Sequence, residues 1–338
     1  MTAIACLGTI DSGNGHVFLT GGEDRLLFLS CFQGGRWQIL RHLEFHCGAI
    51  KALCVVDLDA ANQIVFSGGA QSEVFVWRVV KDPQAKRYDP TVQTRFLVPA
   101  AQDTRVMSIA PVVSSRCSED RVNRVVIAVA CSDGLVVLCA YDMQLKSASL
   151  LAVLPAHEAC CVLVVKCIAV ADRLLLMAGG TDGTIALYDV TEATAQQQQP
   201  PRRLPPIASK RLHQCGVNCM ALQQLDASPN VVLVATGGDD NAIAVNAVRV
   251  SSLLVEFMGE AVVANAHAAA VKGIVWVSSS GIVSTATDQR VQKWTYAQQT
   301  LAIDPTFGFV TSVTDVSALC RVGDDRVVVA GAGVELFS

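Results

Sequence analysis

Residues 230–245 read NVVLVATGGDDNAIAV: a Val- and Leu-rich run, a Gly-Gly pair, an acidic turn and a second alternating apolar run. Such a stretch predicts a strand, a tight turn and a strand, because β-branched residues suit a pleated surface and Asp-Asn suits the left-handed backbone of a short turn. The same pattern recurs as GGEDRLLFL from Gly21, GGAQSEVFVW from Gly68, ACSDGLVVL from Ala130, GGTDGTIALYD from Gly179, TATDQRVQKW from Thr285 and a degenerate GAGVELF from Gly331. Seven copies imply seven units. Their turn positions (Asp24, Gln71, Asp133, Asp182, Asp240, Asp288 and about Ala332) stand 44 to 62 residues apart, the longer intervals carrying insertions.

A further apolar run lies upstream of the hairpin in the units that follow, as in AIKALCVV from Ala49, CVLVVKCIAV from Cys161 and AVKGIVWV from Ala270, and no long helical period intervenes. Four short strands per unit, repeated seven times, predict an all-β fold, a seven-bladed β-propeller. The expected blades are 1–42, 43–98, 99–154, 155–211, 212–258, 259–305 and 306–338 of a single domain. Phe337 already belongs to the third strand of the last unit, so the seventh blade is expected to lack its outer strand. The chain is accordingly expected to be the C-terminal part of a longer multi-propeller protein.

Composition narrows the function. With 338 residues, 51% hydrophobic and 17% charged, the chain can bury a large core and is not a disordered tail. A net charge of -4 argues against coating nucleic acid by bulk electrostatics, so any RNA contact must be regional. Thirteen cysteines, among them Cys6, Cys54, Cys139, Cys167 and Cys320, lie mostly in apolar runs where a thiol behaves as a small hydrophobe. Their odd number and an N-terminus without a secretory pattern point to a reducing, cytoplasmic address. The most apolar region, 159–180, is broken by Lys166, Asp172 and Arg173, short of the ~20 apolar residues a membrane helix requires, so no membrane partner is expected.

No catalytic, cofactor or metal constellation emerges. Cys160-Cys161 and the pair Cys215 and Cys219 lack matched CxxC spacing. No lysine-hydroxyl pair follows the Gly-Gly pairs, and the acidic turns lack the alternating ligands of an EF-hand.

In four units a histidine precedes the turn: His46, His157, His213 and His267 stand 25, 25, 27 and 21 residues before Gln71, Asp182, Asp240 and Asp288. This arrangement resembles the WD-repeat family. The resemblance implies that each histidine bonds the aspartate of its hairpin, with an aromatic at the end of the third strand beside them: Trp77, Tyr188 and Trp294. Blades four and six match that pattern most fully. Blades one and three lack the histidine, and blade two offers Gln71 and Ser72 where aspartate is expected.

Several blocks carry a narrower resemblance: VFLTGGEDRLL from Val17, DTRVMSIA from Asp103, HEACCVLVVKCIAV from His157, HQCGVNCMAL from His213, ATGGDDNAIAV from Ala235 and AHAAAVKGI from Ala266. They are similar to the C-terminal propeller of the WD-repeat proteins that partner the FtsJ-like tRNA ribose 2′-O-methyltransferase of the wobble nucleotide. That resemblance implies a non-catalytic subunit that binds the methyltransferase and helps present tRNA, while the partner enzyme holds S-adenosylmethionine.

Insertions at 81–92, 113–123 and 191–204 are expected to share one rim. There Lys81, Lys86, Arg87, Arg116, Arg121, Arg202 and Arg203 outnumber the acids, whereas the other rim carries Glu23, Asp24, Asp133, Asp182, Asp239, Asp240 and Asp288. A tRNA contact is therefore expected on the insertion rim; ordinary solvated loops remain the alternative. Residues 196–206, QQQQPPRRLPP, read as an extended loop. Two other functions stay open. One is a general interaction scaffold such as a substrate receptor of a ubiquitin ligase. The other, ranked last, is a propeller enzyme with a site in the central channel, where the first strands offer only isolated Lys51, Lys166 and Lys272.

Overall fold

The computed structural model describes residues 1–10, 15–82, 87–99, 103–112, 123–157, 160–195, 201–225, 228–251, 254–298, 300–323 and 326–337. These form seven sheets in chain order, spanning 3–44, 50–97, 106–155, 162–211, 217–263, 271–310 and 318–337, antiparallel but for one short added pair in the third. Each is one blade, with its strands ordered outward from the axis. Only one short helix, Thr191–Ala195, occurs among the described residues.

The alternating pattern has a direct cause in this arrangement. Second and third strands are covered on both faces by neighbouring blades, so Arg173–Gly180 and Ile243–Val250 are buried almost throughout, whereas outer strands such as Arg36–Glu44 are largely exposed. The core is correspondingly divided into seven clusters, one at each blade interface. Phe66, Val76, Ile127 and Tyr141 fill the interface of blades two and three; Leu175, Met177, Val234 and Val248 fill that of blades four and five. The ring closes where Phe18 of blade one meets Val322 and Val328 of blade seven, flanked by Phe32, Trp37, Val334 and Leu336. The Met1 ammonium donates to the Gly331 carbonyl at 2.6 Å, and Ser317 donates its hydroxyl to the Met1 carbonyl.

Blade seven has three strands, Ala318–Val322, Arg326–Gly331 and Gly333–Phe337, as the sequence pattern predicts. Blade three differs from expectation. Its outer strand Ser147–Pro155 gains a parallel neighbour, Arg202–Arg203, with Ala152 opposite Arg202 and Val153 opposite Arg203. The insertion after the third strand of blade four thus crosses to the wall of blade three before returning as the fourth strand, Ala208–Arg211. Chain order alone does not show such a pairing, because the partners lie about 50 residues apart.

The turn aspartates share one device. Asp24, Asp133, Asp182, Asp240 and Asp288 each accept the backbone N–H two residues on, from Leu26, Leu135, Thr184, Ala242 and Arg290. Between them stand Arg25, Gly134, Gly183, Asn241 and Gln289, all with φ between 61° and 87°. The carboxylate replaces the backbone acceptor that the left-handed turn forgoes, which is why acid and turn residue recur together.

A second recurrent feature is a bulge near the start of the first strand. Pairing skips one residue in blades two to six, at Lys51, Met107, Leu163, Asn218 and Lys272. A bulge re-aims the side chain it carries. All five line the central channel.

Candidate functional site

The histidines form hydrogen-bonded relays that differ from blade to blade. Blade six holds the longest. Trp294 donates its indole N–H to the Ser284 hydroxyl at 2.8 Å, Ser284 bonds His267 Nε2 at 2.8 Å, and His267 Nδ1 bonds the Asp288 carboxylate at 3.2 Å. Burial lowers the His267 pKa against the opposing pull of Asp288, so the ring is neutral at pH 7. Its Nδ1–H then donates to the carboxylate, and its Nε2 accepts from Ser284.

Blade five repeats the inner part: His213 Nδ1 meets Asp240 at 2.8 Å and Nε2 meets Thr236 at 3.0 Å. Burial works to raise the Asp240 pKa, but the Gln214 N–H, the His213 ring and the Ala242 N–H together hold it below the usual carboxylate value. The aromatic position is taken by Asn246, fully buried, whose side-chain oxygen accepts from Lys210 at 2.9 Å.

Blade four is less complete than its sequence implies. His157 Nδ1 reaches Asp182 at 3.0 Å, but its buried Nε2 has no partner among the described residues, because Ala178 stands where blades five and six carry Thr236 and Ser284. The Tyr188 hydroxyl donates to the Pro155 carbonyl at 2.8 Å rather than entering the relay. In blade two the relay runs from Trp77 through Ser67 to His46, at 2.8 and 2.7 Å, and stops there, since Gln71 replaces the aspartate. Burial pulls the His46 pKa down to about 4. Blade three, which lacks the histidine, substitutes Thr104, whose hydroxyl donates to Asp133 at 3.2 Å.

The residues missed by sequence reasoning are Ser67, Thr236, Ser284 and Thr104. The first three stand four positions before the turn residue, so a Ser or Thr at that offset is the signal that identifies them.

The two faces differ from a simple basic and acidic pair. On the face bearing the acidic turns, Glu23 pairs with Lys51 at 3.6 Å, Asp239 pairs with Lys272 at 3.1 Å and accepts from Asn218 at 2.7 Å, and three aspartates engage histidines. Of the basic residues expected on the opposite rim, Lys86, Arg116 and Arg121 lie outside the described residues. Lys81 pairs with Asp57 at 3.2 Å, and Arg87 opens the exposed fourth strand of blade two. Arg202 and Arg203 sit on the outer wall of blade three, where the parallel pairing carries them, and Arg202 pairs with Glu192 at 2.9 Å. The structure therefore brings Lys81 and Arg87 together at one hairpin and separates the arginine pair from them.

Several cysteines are buried among apolar side chains. Burial pushes the thiols of Cys54, Cys139 and Cys219 up to about 12, which keeps them protonated, and no cluster of three or more His, Cys, Asp or Glu groups occurs among the described residues.

No family model matches the chain. It is similar to proteins named tRNA (34-2'-O)-methyltransferase regulator WDR6. The Homo sapiens protein is 29% identical over 273 residues, taking in 72% of this chain and 24% of the relative. The Rattus norvegicus protein is 32% identical over 63% of this chain and 21% of the relative, and the Mus musculus protein 25% identical over 95% and 34%. The chain spans about a quarter of the length of the curated relatives it matches.

Proposed function

From this similarity to tRNA (34-2'-O)-methyltransferase regulators, we propose that the chain is a non-catalytic propeller that binds an FtsJ-like methyltransferase and supports ribose 2′-O-methylation of the tRNA wobble nucleotide. The observation that carries the reading is the similarity itself, which in the Mus musculus relative takes in 95% of the chain. The fold alone is neutral, because propellers serve many unrelated functions.

One feature of the structure and one of the comparisons support a scaffold rather than an enzyme. The recurrent histidines and aspartates are engaged with one another and with Ser and Thr hydroxyls, where they hold turns and strands. The named relatives are regulators, not catalysts. In this reading the partner enzyme binds S-adenosylmethionine and performs the transfer, and the complex works in the cytoplasm. Any direct tRNA contact falls on the basic residues Lys81, Arg87 and Arg203, since phosphates are attracted to cations and repelled by the acidic turns.

The experiment is co-purification of the chain with the FtsJ-like enzyme of the same organism, followed by tRNA binding to the complex with Arg87 and Arg203 replaced by Gln. The reading requires a stable complex. Recovery of the chain only with components of a ubiquitin ligase, and never with the methyltransferase, overturns it in favour of a general scaffold.

A further inference from the structure

The central channel forms a solvent-open cavity of about 530 Å³. Its lining includes Lys51, Lys166, Lys272 and Arg321, and contains no Asp or Glu among the described residues. This is unusual placement for a chain whose net charge is -4. A cavity walled by protein and lined by one sign of charge concentrates the potential inside it and draws in counter-ions.

The cations stand at different depths. Lys51 and Lys272 are the bulged residues near the start of their strands, opposite Gly68-Gly69 and Thr285-Ala286, and the bulges aim them at the channel. Both are partly answered at the mouth, by Glu23 and Asp239, which stand outside the lining. Lys166 lies halfway along its strand, opposite Met177, and Arg321 lies toward the far end of its strand, opposite Val327. Arg321 is held by the carbonyls of Gly323 and Trp276, at 3.0 and 3.1 Å.

Lys166 is different from the other three. It has no ion-pair or hydrogen-bond partner among the described residues. Its ammonium acts electrostatically on the thiols of Cys54, Cys219 and Cys320, which belong to blades two, five and seven. Lys166 lines the cavity together with residues of the other six blades, which places it toward the axis.

We propose that the channel is a binding site for a small multivalent oxyanion of the polyphosphate class, with Lys166 as its principal ligand and Lys51 and Lys272 as flanking charges. A single carboxylate would answer only Lys166. Cations spread along the axis instead match an anion with several charged groups, and a cavity of this volume suits a small molecule rather than a folded partner. Ser108 also lines the cavity; its oxygen accepts the Val165 N–H at 3.3 Å, which leaves its hydroxyl proton to donate to an anion. The inference goes beyond the proposed function and does not depend on it.

The test is calorimetric titration with inorganic tripolyphosphate at physiological salt. One saturable site is expected, weakened about tenfold or more in Lys166→Gln, retained in Lys166→Arg and unchanged in Lys146→Gln, a lysine on an exposed turn. In the unsubstituted protein, tripolyphosphate is expected to protect Lys166, and not Lys146, from acetylation read by mass spectrometry. That readout decides the matter even if Lys166→Gln does not fold. Absence of saturable binding, equal affinity in Lys166→Gln, or unprotected Lys166 at saturating tripolyphosphate overturns the proposal.

Discussion

Ser284 shows how much one hydroxyl can hold. It accepts from Trp294 and donates to His267, and it is fully buried, so its replacement by Ala strands an indole N–H and a ring nitrogen together. Ser284→Ala is expected to cost about 1–3 kcal/mol in urea unfolding; a loss within error would show that the relay is not structural. The complementary change is Ala178→Ser, which offers the orphaned His157 Nε2 a partner at the matching position and is expected to stabilise by up to about 1 kcal/mol. His46 sets a pH dependence. Its folded pKa of about 4 lies below the ordinary 6.5, so the unfolded chain binds the proton first. The resulting stability is complete above pH 6.5 and is lost as pH falls toward 4; the lowered pKa of His267 acts in the same direction. Unfolding free energies measured from pH 7 to 4 should therefore decline, and less steeply in His46→Gln. Identical slopes would mean that His46 titrates as an exposed histidine does.

At the scale of elements, the hairpin turns decide which substitutions the blades tolerate. Gly183 has φ +80°, and a Cβ there would stand 2.1 Å from the His213 carbonyl oxygen, whereas Asn241 and Gln289 fill the same turn position in blades five and six. Gly183→Ala is expected to destabilise by roughly 1–3 kcal/mol, well beyond the change from Asn241→Gly; similar costs for the two would contradict the close-approach account. Among the described residues, Gly333–Phe337 is paired on one side only. Its outward amides should exchange hydrogen far faster than those of Ile243–Val250, which is paired on both sides. Much of this was legible in sequence because it is local: hairpins announced by Gly-Gly and Asp, histidines 21 to 27 residues before the turn, and a last unit with three strands. What was not legible depends on residues distant in the chain. Thr104 finds Asp133 within blade three, while Tyr188 finds the Pro155 carbonyl and Arg202–Arg203 finds the edge of blade three across neighbouring blades. The His157–Asp182 bond is present as the pattern implies, whereas the hydroxyl that blades five and six add at Thr236 and Ser284 is replaced in blade four by Ala178.

At the scale of the whole molecule, seven interface clusters join the blades into a closed ring. Its internal polar groups are largely occupied with its own architecture, which suits a scaffold, and its similarity to tRNA (34-2'-O)-methyltransferase regulators gives that scaffold a candidate task. The most direct test is ribose 2′-O-methylation at position 34 of purified tRNA by the FtsJ-like enzyme, measured with and without this chain. The account predicts methylation that rises with the chain up to equimolar enzyme and never occurs with the chain alone. Methylation that proceeds at the same rate whether or not the chain is present, under conditions where the two proteins are mixed at micromolar concentration, would contradict it.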